Sequence, residues 1–520
     1  MRVLVIGASG IIGQHMAISV PKGLEVIFTR RRGDGFLYQS LDVTAEDLIA
    51  RLDALRPDVI VNLAGENSPD AVERDPVAAG QVNAYAVERL AVWCKDNGAH
   101  LVQVSSQAAL DPHANCYGLQ KFAADGIALE HRGSIVRPSF VLGIRPFPAI
   151  GRENPAERML SGKETKSVND RLFTACFAWD VARGIWEAVW TQTQPKGETW
   201  NVGGVDAVSR LDVARHLGCS PEPVSHDELI AQGFCQRPKD TTYREFHGTR
   251  TETAEGFARL RREFDDRQTD MLAYRSKEIA AFFRMPHEAA LAKLSSGFRE
   301  LHPAVNADFR AANPQTDDEL LAWYRGTDSY IWELTAYHSD SGFNYSGMVR
   351  GILERLKQNG VQSVLCLGDG TGDLTLACDA AGIAATYHDL QHSETAQFAE
   401  FRMDLRGSKC KVNETSTFTP PVVDVEYGAI VSLDFLEHVP NVEEWAAFVV
   451  ASLKPGGIFV AQNAFAIGSG PDGSIPMHLA CNDRWEHDWD TMLTRLGFVQ
   501  LSPQWYQKPP VEAWPARMEA

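Results

Sequence analysis

Two glycine-rich segments of different spacing sit in one chain of 520 residues, each placed where backbone could approach a nucleotide. Gly7-Ala-Ser-Gly10-Ile-Ile-Gly13 follows the apolar run Val3–Ile6, and Gly368-Asp-Gly370-Thr-Gly372 follows Val364–Leu367. Glycines at these positions remove the side chains that would hold a phosphate or ribose away from the main chain. In the first segment a helical pattern opens at Ile11 and Ile12, so unpaired N–H groups of its first turn can bind a pyrophosphate. After the next strand-like run, Glu25–Thr29, the chain reads Arg30-Arg31-Arg32 where an acidic residue would take the ribose hydroxyls. Guanidinium groups there suit a 2′-phosphate, so NADP(H) is expected over NAD(H).

Downstream, Ser105 and Ser106 end another strand, and Tyr117-Gly-Leu-Gln-Lys121 begins a helix. A four-residue step places phenol and ammonium on one helix face. A phenol beside a fixed ammonium is expected to have a lowered pKa and to exchange a proton with a carbonyl or alcohol, while a serine hydroxyl binds the same oxygen. In the second segment Asp389 lies seventeen residues beyond Gly372, at the end of the run Ile383–Tyr387. A carboxylate there can accept both ribose hydroxyls of an adenosine cofactor, which the spacing leaves open as a dinucleotide or S-adenosylmethionine.

The elements that would position these groups alternate. Residues 1 to about 145 read as strand and helix in turn, with strands at Val3–Ile6, Glu25–Thr29, Val59–Leu63, Leu101–Ser105 and Ser134–Val136, the rhythm of a parallel sheet. Residues from about 146 to 245, with an amphipathic stretch Val181–Trp190 and a short strand Glu198–Val202, read as a small substrate lobe. From 246 to 340 the pattern is helical and charged, a connector or a lid rich in aromatics such as Trp323, Tyr324 and Tyr330. A further strand-and-helix block fills 341 to 520, ending in a proline-rich, extended tail.

Over residues 1 to 245 the chain resembles the extended short-chain dehydrogenase/reductases, specifically the dTDP-4-dehydrorhamnose reductase family. The resemblance rests on the first glycine loop, Val61-Asn-Leu-Ala-Gly65, Val82-Asn83-Ala84, Val104-Ser-Ser106, Tyr117 to Lys121, Val136-Arg-Pro-Ser-Phe-Val-Leu-Gly143 and Arg237-Pro238. It implies that Ser106 polarises a carbonyl, Tyr117 donates the proton and Lys121 holds the nicotinamide ribose. It also implies that Asn83 lines the cofactor channel, Asp42 lies beside the adenine and Arg237 approaches an anionic group of a nucleotide-linked sugar. The interval from Ser106 to Tyr117 is short for that family, so a loop over the substrate is trimmed.

Over about residues 345 to 505 the chain resembles class I S-adenosylmethionine-dependent methyltransferases, through the second glycine loop, Ile430-Val-Ser-Leu-Asp-Phe-Leu-Glu-His-Val-Pro440, Leu453-Lys-Pro-Gly-Gly-Ile-Phe459 and Arg495-Leu-Gly-Phe498. Gly368, Gly370 and Gly372 would then approach the methionyl part, Asp389 the ribose, and Asp434 to His438 the methyl-transfer side. Cys366 departs from that family, which has an acidic residue there, and Asp369 stands near enough in sequence to compensate. A general base for a hydroxyl acceptor is expected at His478, with His438 as the alternative. Together the resemblances imply two Rossmann-like, doubly wound α/β domains joined by a helical region, one taking NADP(H) and the other S-adenosyl-L-methionine. Such a fusion suggests consecutive steps on one metabolite, or a methyltransferase with an NADP-binding scaffold that does not turn over.

Bulk properties narrow the partners. A formal charge of −18 repels phosphate backbones and argues against nucleic acid. The nine cysteines show no metal-ligand spacing, so no metal is expected. The first residues form a strand rather than a signal core, and no apolar stretch reaches about 18 residues, so no membrane association and a cytoplasmic location are expected. Small molecules, and a second copy of the chain in a homodimer, are the expected partners.

Overall fold

The structure, a computed structural model, describes residues 1–33, 35–191, 197–204, 206–242, 251–269, 272–422, 425–470 and 473–510. The chain divides into two compact units, Met1–Leu291 and Ala292–Ala520.

In the first unit the apolar run after Met1 becomes the strand Arg2–Ile6, whose last four residues are buried, as expected for a strand covered on both faces. It lies at the centre of a seven-stranded sheet in the order Thr199–Val202, Ser134–Pro138, His100–Val104, Val59–Asn62, Arg2–Ile6, Glu25–Arg30, Tyr38–Ser40, with every pair parallel. The helix Ile11–Ala17 starts where the first strand ends, and one core beneath the sheet gathers Leu4, Ile60, Leu90, Leu101 and Ile135. This is a Rossmann-like α/β domain. The strand at Thr199–Val202 belongs to this sheet rather than to a separate lobe, because it pairs with Ser134–Pro138. The amphipathic stretch, helix Ala178–Trp190, packs against helix Ile11–Ala17 and so also belongs to the main layer. What remains of the lobe is a small sheet built on Leu172–Phe177, which pairs with Phe140–Leu142, Ala207–Val208 and Asp240–Thr241, plus the pair Lys166–Val168 and Glu222–Val224.

The boundary between the units falls inside the helical stretch expected at 246–340. Helix Thr253–Thr269 packs onto the first unit. Phe257 and Leu260 join a core with Phe177 and Trp179, and a Cβ on Gly256 would lie 1.9 Å from the Phe177 ring, so only glycine lets the helix approach. Glu263 of this helix bonds Arg259 (2.8 Å) and Lys277 (3.1 Å) of the helix Leu272–Phe282, while the Arg259 guanidinium sits 4.0 Å over the Trp179 ring.

In the second unit a seven-stranded sheet runs Lys411–Thr415, Ala384–Leu390, Ser363–Leu367, Tyr427–Leu433, Leu453–Gln462, Trp505–Gln507, Val499–Ser502. The first five of these are mutually parallel, and Trp505–Gln507 is antiparallel to both its neighbours. Trp445 and Phe459 anchor the core on one face, Val364, Cys366 and Leu356 the core on the other. Helices Phe298–Ala312 and Asp317–Gly326 form a smaller core with Met477, Ile475 and Phe418, residues from loops at the carboxyl ends of the strands. Counted in chain order, the sheets read 7-6-5-4-1-2-3 and 3-2-1-4-5-7-6. In both, the first strand lies between the second and the fourth, the place where a crossover reverses and a crevice opens. Residues 511 to 520, most of the tail read as extended, lie outside the described residues.

Candidate functional site

The first glycine loop leaves the Arg2–Ile6 strand through Gly7, whose φ of +75° favours glycine and whose added Cβ would meet Ala64 N at 2.8 Å. A Cβ on Gly13 would lie 2.3 Å from Ala8 Cα, so this glycine lets helix and loop pack. Gly10 differs: the nearest atom to its added Cβ is 3.7 Å away, because it faces open space. That space is a cavity of about 850 Å³ lined by Gly7, Gly10, Ile11, Ile12 and Gly13 at one end, and by Ser106, Tyr117, Lys121 and Arg237 further along. The loop and the serine, tyrosine and lysine singled out in the sequence thus converge on one cavity.

Asn115 caps the helix Cys116–Glu130, accepting from Gly118 N at 2.8 Å, and so sets where Tyr117 and Lys121 project. Ser106 Oγ accepts from Ala108 N at 3.2 Å, leaving its own proton to donate. The Lys121 ammonium lies 5.9 Å from the Tyr117 ring centroid. Contrary to the expectation of a lowered phenol, the Tyr117 pKa is raised, because burial outweighs the opposing hydrogen bond with Ser106. Burial also pulls Lys121 down to about 8, against the pull of Asp125.

Asn83, Asp42, Arg30 and Arg31, all expected at the cofactor, do not line this cavity. Asn83, buried in the segment Gln81–Tyr85, accepts from Glu66 N (2.9 Å) and donates to Gln120 Oε1 (2.9 Å), fixing the loop after Val59–Asn62. Asp42, expected beside the adenine, uses one oxygen for Thr44 N (2.9 Å) and Thr44 Oγ1 (2.7 Å) and the other for Arg31 Nε (2.9 Å). Burial alone would raise its pKa, but these bonds hold it at about 2. Arg30 donates through Nε to Gly33 O at 2.7 Å. Arg237 pairs with Asp70 at 2.6 Å. Basic side chains missed in the sequence, Arg158, Lys163, Lys166, Arg171 and Arg210, line the lobe side of the cavity. They are scattered in the chain, so no local signal marked them.

With this geometry in place, similarity to known proteins becomes informative. Residues 1–222 match the RmlD substrate binding domain family. The dTDP-4-dehydrorhamnose reductase of Burkholderia thailandensis is 28% identical over 225 residues, 39% of this chain and 71% of the relative. Methionine adenosyltransferase 2 subunit beta of Rattus norvegicus is 30% identical over 148 residues, 25% of this chain, and the match spans only 43% of that relative's length. Among solved structures, a dTDP-4-dehydrorhamnose reductase of Bacillus anthracis in complex with NADP is 21% identical with a TM-score of 0.43, covering 50% of this chain and 99% of that one. By the family match and the Burkholderia relative, residues 1–222 are RmlD-like and reductase-like.

The RmlD-like match ends well before the second glycine loop, where the three glycines all have positive φ: +61° at Gly368, +50° at Gly370 and +77° at Gly372. Added Cβ atoms on Gly368 and Gly370 would lie 2.2 Å from Phe435 and 2.8 Å from Leu334, so those side chains pack directly on the loop. Asp389 stands at the end of the neighbouring strand. One of its oxygens accepts from Gly370 N (2.7 Å), the other from Leu390 N (2.7 Å), and burial raises its pKa. Cys366 is buried, and Asp369, expected to compensate for it, is held by backbone. Its carboxylate, pushed up to about 7 by burial, accepts from Leu374 N (3.1 Å) and Thr375 N (2.7 Å) and so caps the helix Asp373–Ala380.

On either side of Phe435 the chain places Asp434, pushed up to about 6 by burial, and Glu437, pushed to about 8 by burial and by Asp434. Glu437 Oε1 accepts from Ala464 N at 2.8 Å, while its buried Oε2 has no protein partner. His438 Nδ1 lies 3.1 Å from Tyr324 OH and 3.3 Å from Met477 O, and burial holds this ring at about 3. His478 packs edge-on against it at 4.9 Å, with Nδ1 bonded to Ile467 O at 2.9 Å. That bond places a ring proton on Nδ1. Among the described residues no helix is long and apolar enough to cross a membrane, and no group of His, Cys, Asp and Glu side chains is placed to hold a metal.

Proposed function

We propose that the chain is a bifunctional enzyme: the first unit reduces a carbonyl with NADPH, and the second methylates the same or a consecutive intermediate with S-adenosylmethionine. The observation that carries the first half is the convergence of the glycine loop with Ser106, Tyr117 and Lys121 on one cavity. The residues fit the dinucleotide, since Gly10 leaves the backbone approachable and Gly7 and Gly13 make the loop tight enough for helix N–H groups to reach a pyrophosphate. A nicotinamide held there supplies the hydride. Ser106 and Tyr117 then bind the carbonyl oxygen, and Tyr117 passes its proton to the alkoxide that forms. Lys121 holds the ribose and, by its charge, favours loss of the Tyr117 proton. Arg30 and Arg31 take the 2′-phosphate. The basic rim of Arg158, Lys166, Arg171, Arg210 and Arg237 supports an anionic substrate, a keto-sugar linked to a nucleotide diphosphate.

The methyltransferase half is supported by the strand order 3-2-1-4-5-7-6 and by Asp389 beside the glycine loop. An ionised carboxylate has about four lone-pair sites. Asp389 can therefore keep its two backbone bonds and still accept two ribose hydroxyls. The loop of Gly368, Gly370 and Gly372, packed tightly under Phe435 and Leu334, offers its backbone to the methionyl part, Asp434 borders the transferred methyl, and His478 takes the acceptor's proton. Exposed Tyr85, Leu119 and Phe122 support a homodimer, which sedimentation equilibrium tests.

A second reading keeps the methyltransferase and makes the first unit an NADP-binding scaffold. The similarity to a methionine adenosyltransferase subunit favours it. The deciding experiment incubates the full chain with NADPH, labelled S-adenosylmethionine and a metabolite extract, then seeks by mass spectrometry a product both reduced and methylated. Loss of the reduced mass with Tyr117→Phe supports the bifunctional reading. Methylated product without reduction supports the scaffold.

A further inference from the structure

The helix that carries Tyr117 and Lys121 carries a third ionisable group one turn on, Asp125, to which the reduction chemistry assigns nothing. Asp125 is 4% exposed and Lys121 3%, so neither charge is shielded by water. From the adjacent strand Ser134–Pro138, Arg137 donates to Asp125 Oδ2 at 2.6 Å, and the Ser105 hydroxyl also favours the ionised carboxylate. The two residues are four apart on one helix, so their side chains leave the same face.

The other groups around the ammonium are few. Tyr117 shares its helix, and a Cβ placed on Gly65 would lie 3.3 Å from Lys121 Nζ and 3.0 Å from Asn83 Oδ1, which puts that neutral amide close by. Glu66 in the same loop and Asp125 itself both act on the Tyr117 phenol, and both raise it. Asp125 is thus the carboxylate that opposes the desolvation of Lys121.

We propose that Asp125 is a positioning residue that keeps the Lys121 ammonium charged through neutral pH, with Arg137 holding the carboxylate in place from the neighbouring strand. The inference rests on the reading of Lys121 as the ribose-binding cation of the reductase site. Without the carboxylate, burial of the amine is unopposed, and a neutral amine can neither hold the ribose hydroxyls by charge nor favour the tyrosinate. The titration of the site is then governed one helical turn away from the reacting atoms, by a residue that never meets substrate.

Competitive labelling of the full chain with trace acetic anhydride, read by peptide mass spectrometry from pH 6 to 10, measures the Lys121 midpoint directly. The parent should titrate near 8. Asp125→Asn should titrate about one unit lower or more, and Asp125→Glu close to the parent. NADP⁺ affinity should fall in Asp125→Asn at pH 8 and change little at pH 6, a pH split that a merely structural defect would not produce. Because a lone buried guanidinium can unfold the variant, Asp125→Asn combined with Arg137→Gln removes both charges and should still shift downward, by less than Asp125→Asn alone because a like charge is lost with the carboxylate. An unmoved or raised midpoint in variants that still melt cooperatively overturns the proposal. A parent that binds no NADP⁺ instead overturns the reductase reading, while the labelling midpoints still decide the role of Asp125.

Discussion

The two glycine loops occupy equivalent places in their sheets, each after a first strand flanked by the second and fourth, yet they are built and charged differently. In the first, Gly7 alone of the three glycines needs a left-handed backbone, and Gly13 is glycine for packing. In the second, all three glycines are left-handed and two are covered by Phe435 and Leu334. Past the first loop stand Arg30 and Arg31 and a basic cavity; past the second stand Asp389, Asp434 and Glu437, acids whose proton affinity burial raises. In the proposed reading, related sheet topologies serve two ligand chemistries: the decoration at the strand ends would select a phosphate-rich cofactor in one unit and a ribose beside a cationic sulfur in the other.

The comparison breaks most sharply at Tyr117. Tyr117→Phe should lower NADPH-dependent turnover by about 10²- to 10⁴-fold with NADP⁺ binding nearly intact, and should leave methyl transfer untouched. Equal loss in both assays would mean that the phenol supports the fold rather than the chemistry. The counterpart in the second unit is Asp389→Ala, which should weaken S-adenosylhomocysteine by roughly 2 to 4 kcal/mol, on the order of 30- to 1000-fold, by calorimetry. An unchanged dissociation constant would remove this carboxylate from the cofactor site.

Arg31→Ala sharpens the contrast in charge. Because the side chain is largely exposed, its effect should be smaller, about tenfold weaker NADPH with NADH unchanged. Tighter NADH than NADPH in the parent would reverse the assignment. The smallest effect concerns Glu437. Its folded-state pKa of about 8 stands above the ordinary 4.5, so the folded chain keeps a proton that the unfolded chain releases. The stability this contributes is fully present below about 4.5 and lost as pH rises through about 8. Glu437→Gln, a neutral mimic, should therefore gain on the parent in melting temperature as pH rises over that interval, by a few degrees. A constant difference between the two would mean that Glu437 is ionised in the fold.

Much of the frame was legible because it is local. The strand at Arg2–Ile6, the helix from Ile11, and the Tyr117 to Lys121 step all follow from apolar runs, glycines and a four-residue period. What was not legible is long-range. Thr199–Val202 reads as a lobe strand until its pairing with Ser134–Pro138 is known, and the cavity's arginines come from segments without a shared motif. The raised phenol of Tyr117 and the cap made by Asp369 depend on burial and on partners that sequence spacing does not specify. Asp125 was within reach, since its offset from Lys121 repeats the offset of Lys121 from Tyr117.

Gly256, with the Phe177 ring pressed against it, bears on where the gene can be cut. A fragment ended near residue 242, past the residues that match the RmlD family, would lose Phe257 and Leu260 and leave Phe177 and Trp179 facing water. Such a fragment would be expected to clump when expressed. A piece that keeps this core buried has to run on through the first compact unit, to Leu291.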